Sequence, residues 1–291
     1  MECPQNAVVP TTPRAAWQGR HIYDILAERI SRLERVLVAH GFKDPVPRIQ
    51  FHLEILQRLS RKSKIDSDEV LWSLVEATEL ADICCYFPRL SARALRDKFT
   101  AILDGPRNPQ QETPSSNLAR NTVFELYLAG WLSHKGVPTE ICHNPDISCT
   151  VADRHLFIQC KRPFSRRAIE RNIKRACKQL SADLDAARDT RNRGVVAISV
   201  ARAINPGTAF LQVRTETDLI PALSVQVRPF TDYYVSRFIK GPRIVGAVFH
   251  AITPALVEDV NEYRTAQLLA MYPSSAASEA DRIMLRNIFL R

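Results

Sequence analysis

The spacing of apolar side chains changes character partway along the chain, and that change limits the fold more than any single motif. Before residue 104 apolar positions recur every three or four residues. One series is Ile22, Leu26, Ile30, Leu33 and Leu37, and another is Ile49, Leu53, Leu56 and Leu59. This is the period of amphipathic helices. Asp66 and Ser67 stand where they can cap a third run from Val70 to Tyr86, Pro88 stops that run, and Ser91 can begin another as far as Leu103. Residues 1–104 are therefore expected to form an all-α bundle. Residues 105–116 hold three prolines and almost no apolar side chain, which predicts a Pro-rich linker.

Beyond residue 116 helices alternate with strands. The pattern predicts a helix over 117–134, short strands over 139–143, 146–151 and 155–161, a long helix over 165–189, and a β-branched strand over 194–201. The tail predicts a helix over 215–238 interrupted by Pro221 and Pro229, a strand over 243–252, and a terminal helix over 278–290. Alternation of this kind signals an α/β layer domain spanning 117–291.

Composition narrows the function classes. With 45% hydrophobic and 24% charged residues the chain is no disordered or collagen-like polymer. The longest strongly apolar stretch free of formal charge, 245–257, is too short to span a bilayer, so no membrane partner is expected. The start of the sequence lacks a basic region followed by an apolar one, and the seven cysteines lack a regular framework spacing. A cytoplasmic protein with reduced thiols is the expectation. Forty Lys and Arg against 31 Asp and Glu give a net charge of +9, which favours an anionic partner. Between residues 154 and 193 twelve cations face four acids, an excess of +8, so nearly all of the net charge lies in one segment. Within it Arg167, Arg171, Lys174 and Lys178 fall on one helical stripe opposite Ile169, Ile173, Cys177, Leu180 and Leu184. With Arg162 and Arg166 they form a ridge suited to nucleic-acid phosphates.

The residues able to do chemistry sit just before that ridge. In the run 155–161, Leu156, Ile158 and Cys160 point to one face while Phe157, Gln159 and Lys161 point to the other. Asp146, after Pro145, begins the preceding strand, and a hairpin would bring its carboxylate beside Gln159 and Lys161. Glu125 is the only ionisable carboxylate in the apolar run 123–132, so packing should turn it toward the interior or a cleft. Cys142, His143, Cys149, His155 and Cys160 also cluster, but at spacings that match no familiar zinc module.

Phe124-Glu125, Pro145-Asp146 and Ile158-Gln159-Cys160-Lys161-Arg162 together resemble the PD-(D/E)XK nuclease superfamily, most closely its Mrr-type restriction endonuclease domains. The resemblance covers residues 117 to 203. It implies a restriction-endonuclease-like mixed central sheet flanked by helices, and a hydrolase that cuts DNA phosphodiester bonds in restriction, defence or DNA processing. It also implies Glu125, Asp146, Gln159 and Lys161 as the catalytic group. Mg²⁺, with Mn²⁺ able to substitute, would be held by Asp146, the Gln159 amide carbonyl, the Cys160 main-chain carbonyl and Glu125. Lys161 would hold or deprotonate the attacking water. Two features depart from the pattern. His143-Asn144-Pro145 replaces the Gly-rich approach to the aspartate, so no substrate preference is implied. Gln159 occupies the position of an acid and removes one negative charge, which predicts weak binding of one dominant metal. The alternative expectations are a nuclease-like module that binds nucleic acid or protein without cutting, and an interaction protein whose ridge meets an acidic partner. The N-terminal bundle is left to recognise a DNA feature, a partner, or a second protomer in a homodimer.

Overall fold

The structure, a computed structural model, describes residues 7–10, 22–61, 67–86, 92–106, 112–113, 117–151, 154–207 and 209–289. Asp66, Pro88, Ser91 and residues 107–111 and 114–116 lie outside the described residues, as does the side chain of Ser67. The expected caps and most of the Pro-rich connection fall there. The periodic runs fold into α1 (Ile22–Ala39), α2 (Pro47–Ser60), α3 (Ser67–Cys85) and α4 (Ala92–Leu103). Pro47 opens α2, where its fixed φ suits a first helical turn and its missing N–H costs nothing. The third helix departs from amphipathic patterning. Every residue from Val70 to Ile83 is buried, including Glu76, Glu79 and Asp82, because α1, α2, α5 (Leu118–His134) and the sheet surround it.

After α5 come β2 (Thr139–Ile141), β3 (Ile147–Val151) and β4 (Arg154–Lys161), an antiparallel meander. Helix α6 (Ile169–Ala186) then leads to β5 (Arg193–Ser199), which lies parallel to β4. The short α7 (Ala201–Ile204), β6 (Leu211–Val213) and α8 (Leu219–Phe238) precede β7 (Ile244–Val257), β8 (Glu262–Pro273) and α9 (Glu279–Phe289). The N-terminal β1 (Ala7–Pro10) pairs with β8, the sheet order is β1-β8-β7-β5-β4-β3-β2, and β6 pairs with β7 off that path. The fold is therefore mixed α/β with four helices among the described residues before residue 104, but Ala7–Pro10, expected within an all-α bundle, are instead an edge strand of the sheet because they pair with β8.

Strand β7 extends five residues past the expected strand end at Ile252 and is buried along both faces, as a continuous apolar run sandwiched between helical layers should be. Strand β8 was not expected at all. On one face Val195, Val245, Val248 and Met271 join a cluster that includes α1 to α5 and α9. On the other Val196, Ala247, Phe249 and Ala270 meet Ile173, Leu180, Leu223 and Val227 of α6 and α8. The first cluster is continuous from Ile22 to Phe289, so the helices before the Pro-rich stretch and the α/β elements after it bury one another's apolar surface. Among the described residues no helix is long and apolar enough to cross a membrane.

Candidate active site

The end of β4, paired with β5 to Lys161 but clear of β3 beyond Ile158, organises the site. Its antiparallel pairing with β3 runs from Val151 opposite Arg154 to Ile147 opposite Ile158 and stops there, so residues 159–161 outrun their hairpin partner. The Cys160 N–H, with no β3 carbonyl to meet, donates to Asp146 Oδ2 at 2.7 Å. A strand residue's N–H and C=O share one edge, so the Cys160 carbonyl faces the side where the Asp146 carboxylate is fixed. Lys161 Nζ donates to Gln159 Oε1 at 2.8 Å and lies 3.6 Å from Asp146 Oδ2. The hairpin thus brings Asp146, Gln159 and Lys161 together as the strand alternation expected.

Glu125, on α5, lies within electrostatic reach of Asp146 and Lys161. Helix α5 is buried over most of its length, and Glu125, partly exposed in its middle, faces Lys98 of α4, whose Nζ donates to Glu125 Oε2 at 2.5 Å. Burial pushes the Glu125 pKa up; Lys98 and Lys161 pull it down, and the Asp146 charge raises it further. Those influences place two carboxylates and two ammonium groups in one field. Lys98 was missed in the sequence. Nothing in its surroundings there points to it, because its role depends on how α4 packs against α5.

The remaining expected residues divide by layer. Arg166, Arg167, Arg171, Lys174 and Lys178 are exposed along the outer face of α6 and the turn before it. Lys174 is engaged by Glu170 at 2.6 Å and sits 5.2 Å from the Phe238 ring centroid, while Arg166 lies over Phe230 at 5.3 Å. Arg162 is not on that ridge. It is 4% exposed and its guanidinium meets Glu79 at 2.9 Å, because the chain turns inward after Lys161 and meets α3. There Arg162 joins a buried network. Arg120 lies 3.5 Å from Glu79 and 3.2 Å from Glu76 and also pairs with Glu112, and Arg48 pairs with Glu76. Burial alone would raise the Glu76 pKa, but His52, Arg120 and Arg48 hold it well below the usual carboxylate range. The clue was available: Glu76, Glu79 and Asp82 interrupt an apolar helix just as Glu125 does. Tyr233 on α8, whose helical spacing with Tyr234 and Phe238 predicts a core position, is instead 47% exposed, with Arg237 over its ring.

The donor set can be tested against the ion the resemblance implies. Mg²⁺ takes one or two carboxylates and completes its octahedron with water and phosphate. Asp146, Glu125, the Gln159 amide and the Cys160 carbonyl are all hard oxygen donors, and the Cys160 thiol is buried on the other face of the strand, its pKa raised by burial and by Asp146 and Glu125. The donors fit. Among the described residues no group of three or more His, Cys, Asp or Glu side chains is arranged to hold a metal. Searches against protein-family models, curated proteins and solved structures found no match to this chain.

Proposed function

We propose that the chain is a metal-dependent DNA endonuclease of the PD-(D/E)XK type, similar to Mrr-type domains, using Mg²⁺ or Mn²⁺. The observation that carries the reading is the convergence of Asp146, Gln159 and Lys161 where β4 outruns β3, with Glu125 of α5 within their electrostatic reach. The order α5-β2-β3-β4-α6-β5, an antiparallel meander followed by a helix and a parallel strand, supports it.

Asp146, Glu125, the Gln159 carbonyl and the Cys160 carbonyl would hold the ion, which supplies charge neutralisation on the phosphate and acidifies bound water. The protein's own part is positional. Asp146 is pinned by the Cys160 N–H, so its second oxygen keeps a fixed direction. Lys161 has three N–H donors; Gln159 takes one and Asp146 lies near another, which leaves a third for a phosphate oxygen or the attacking water. Arg167, Arg171 and Lys178 would meet flanking phosphates, contacts that orient the duplex without reading its sequence.

A second reading, a nuclease-like module that binds DNA without cutting, is favoured by one observation. Lys98 and Lys161 already neutralise the two carboxylates, and Lys161 occupies the Gln159 carbonyl. Incubating supercoiled plasmid with Mg²⁺ or Mn²⁺, beside EDTA and Lys161→Ala controls, separates the two. Metal-dependent nicking lost in the variant is expected; a retained gel shift with no nicking by the wild type selects the binding module.

A further inference from the structure

The outer face of α8 carries more aromatic surface than a helix covering a sheet needs. Phe230, Tyr234 and Phe238 recur every four residues and share one stripe, and Tyr233 and Arg237, also four apart, run beside it toward solvent. Tyr234 and Phe238 pack against the buried cluster beneath, with ring centroids 6.0 Å apart and planes 29° from parallel, and Tyr233 stands edge-on to Tyr234 at 5.0 Å. Tyr233 itself is nearly half exposed. The Arg237 guanidinium lies 5.4 Å from the Tyr233 ring centroid and 5.7 Å from that of Phe238, and donates to the Tyr233 hydroxyl at 3.0 Å. Two cations from the neighbouring element complete the surface. Lys174 of α6 sits over Phe238 at 5.2 Å, and Arg166, in the turn before α6, over Phe230 at 5.3 Å. Glu170 is held by Lys174 at 2.6 Å and Asp232 faces Arg228 at 3.4 Å. Neither Arg166 nor Arg237 has a carboxylate within ion-pair distance among the described residues.

We propose that the seam between α6 and α8 holds an unpaired stretch of DNA, its bases stacking on Tyr233 and the Arg237 guanidinium and its phosphates meeting Arg166 and Lys174. Cations alone suit the backbone of any nucleic acid, paired or not. The rings supply the discrimination. In a duplex the base faces cover one another, so a ring on the protein surface meets only sugar and phosphate. An unpaired base offers a free π face to an aromatic ring or a guanidinium plane. Rings interleaved with cations therefore fit a single strand better than a duplex. The platform is also firm, because Tyr234 and Phe238 are anchored on the core and Tyr233 is braced between Tyr234 and Arg237. Arg166 follows Lys161 by five residues, at most about 18 Å of extended chain, which keeps the seam near the strand that carries the candidate site.

The inference rests on the DNA-binding half of the proposed function and not on cleavage, so its test is run in EDTA. Fluorescence anisotropy would follow the full chain binding an end-labelled thymidine strand of about 16 nucleotides and a duplex of the same length. The proteins compared are wild type, Tyr233→Ala and Tyr233→Trp, substitutions at an exposed position, each checked for an unchanged circular dichroism spectrum. The expected result is that Tyr233→Ala weakens binding of the single strand about tenfold or more and of the duplex less than about twofold. Tyr233→Trp keeps the affinity, and the single strand but not the duplex quenches the fluorescence of its added indole. Single-strand binding by Tyr233→Ala within about twofold of wild type, or an equal loss on both forms, overturns the inference and leaves cleavage to be decided by the nicking assay. A uridine strand held more tightly than the thymidine strand gives the seam to RNA and overturns it as well. Binding of neither DNA form by the wild type overturns the inference together with the DNA-binding half of the proposed function.

Discussion

Asp82 and His250 show what buried titratable residues do here. His250 is stacked on Phe124 at 5.1 Å, with Ser199 Oγ 3.1 Å from Nδ1 and Gln267 Nε2 3.3 Å from Nε2. Burial, aided by Arg162, lowers its pKa to about 3, so it folds neutral. Stability from that neutrality is complete above the unfolded pKa near 6.5 and is lost as pH falls from there toward 3, at about 1.4 kcal/mol per pH unit. Asp82, which shares Gln267, has the opposite sign. Burial raises its pKa to about 7 despite the pull of Arg29 and Gln267. Its contribution is complete below the unfolded value near 3.8 and lost as pH rises toward 7. Between pH 5 and 6.5 the two slopes oppose each other. Urea unfolding at pH 5, 5.75 and 6.5 should therefore give a nearly flat wild type. Asp82→Asn should weaken as the medium is acidified and His250→Gln should strengthen. Parallel profiles for all three proteins would refute the assignment.

At the scale of elements, α6 lies between the sheet and solvent. Its outer face carries the cations, and its inner stripe is Ile169, Ile173, Leu180 and Leu184. Reversing two ridge charges, Arg171→Glu with Lys178→Glu, should leave the fold intact because both side chains are exposed. If those residues meet phosphates, the slope of log affinity against log salt should shallow by about two units; an unchanged slope would remove α6 from the DNA surface. Most elements were legible because their apolar spacing matched one period over many residues, as in α1, α6 and the β3-β4 hairpin. Strand β8 was not. Ala266, Gln267, Leu268, Leu269, Ala270 and Met271 favour helix locally, and only full-length pairing with β7 makes them a strand. The site was legible where its members share one short segment. It was illegible where they come from elsewhere: Lys98 enters through α4, and Arg162 is drawn inward by Glu79 on a helix about eighty residues earlier.

At the scale of the molecule, the first hundred residues and the α/β layers depend on one another. Arg120 and Arg162 find their carboxylates on α3, and Phe124, Tyr127 and Trp131 of α5 lie in the cluster that α1 to α4 help to close. Removing one partner of a buried ion pair costs about 3–5 kcal/mol, and a whole domain is stable by only about 5–15 kcal/mol. A fragment of residues 117–291 leaves two guanidinium groups without Glu76 and Glu79, and strips the cover from α5. It is expected to show no cooperative thermal transition by circular dichroism. A sharp melt for that fragment would mean that the helices are an addition rather than part of the fold.

The paired lysines and carboxylates also bear on how ligands would talk to one another. Lys98 and Lys161 are counterions to Glu125 and Asp146 while the site waits. On the proposed reading a dication takes over that duty and frees the ammonium groups for phosphate, while phosphate draws them off and frees the carboxylates for the dication. Metal and DNA are then linked ligands, and thermodynamic reciprocity requires each to raise the affinity of the other by the same factor. A chain that holds its metal weakly by itself would hold it well only on DNA, and so would arm itself where it is to act.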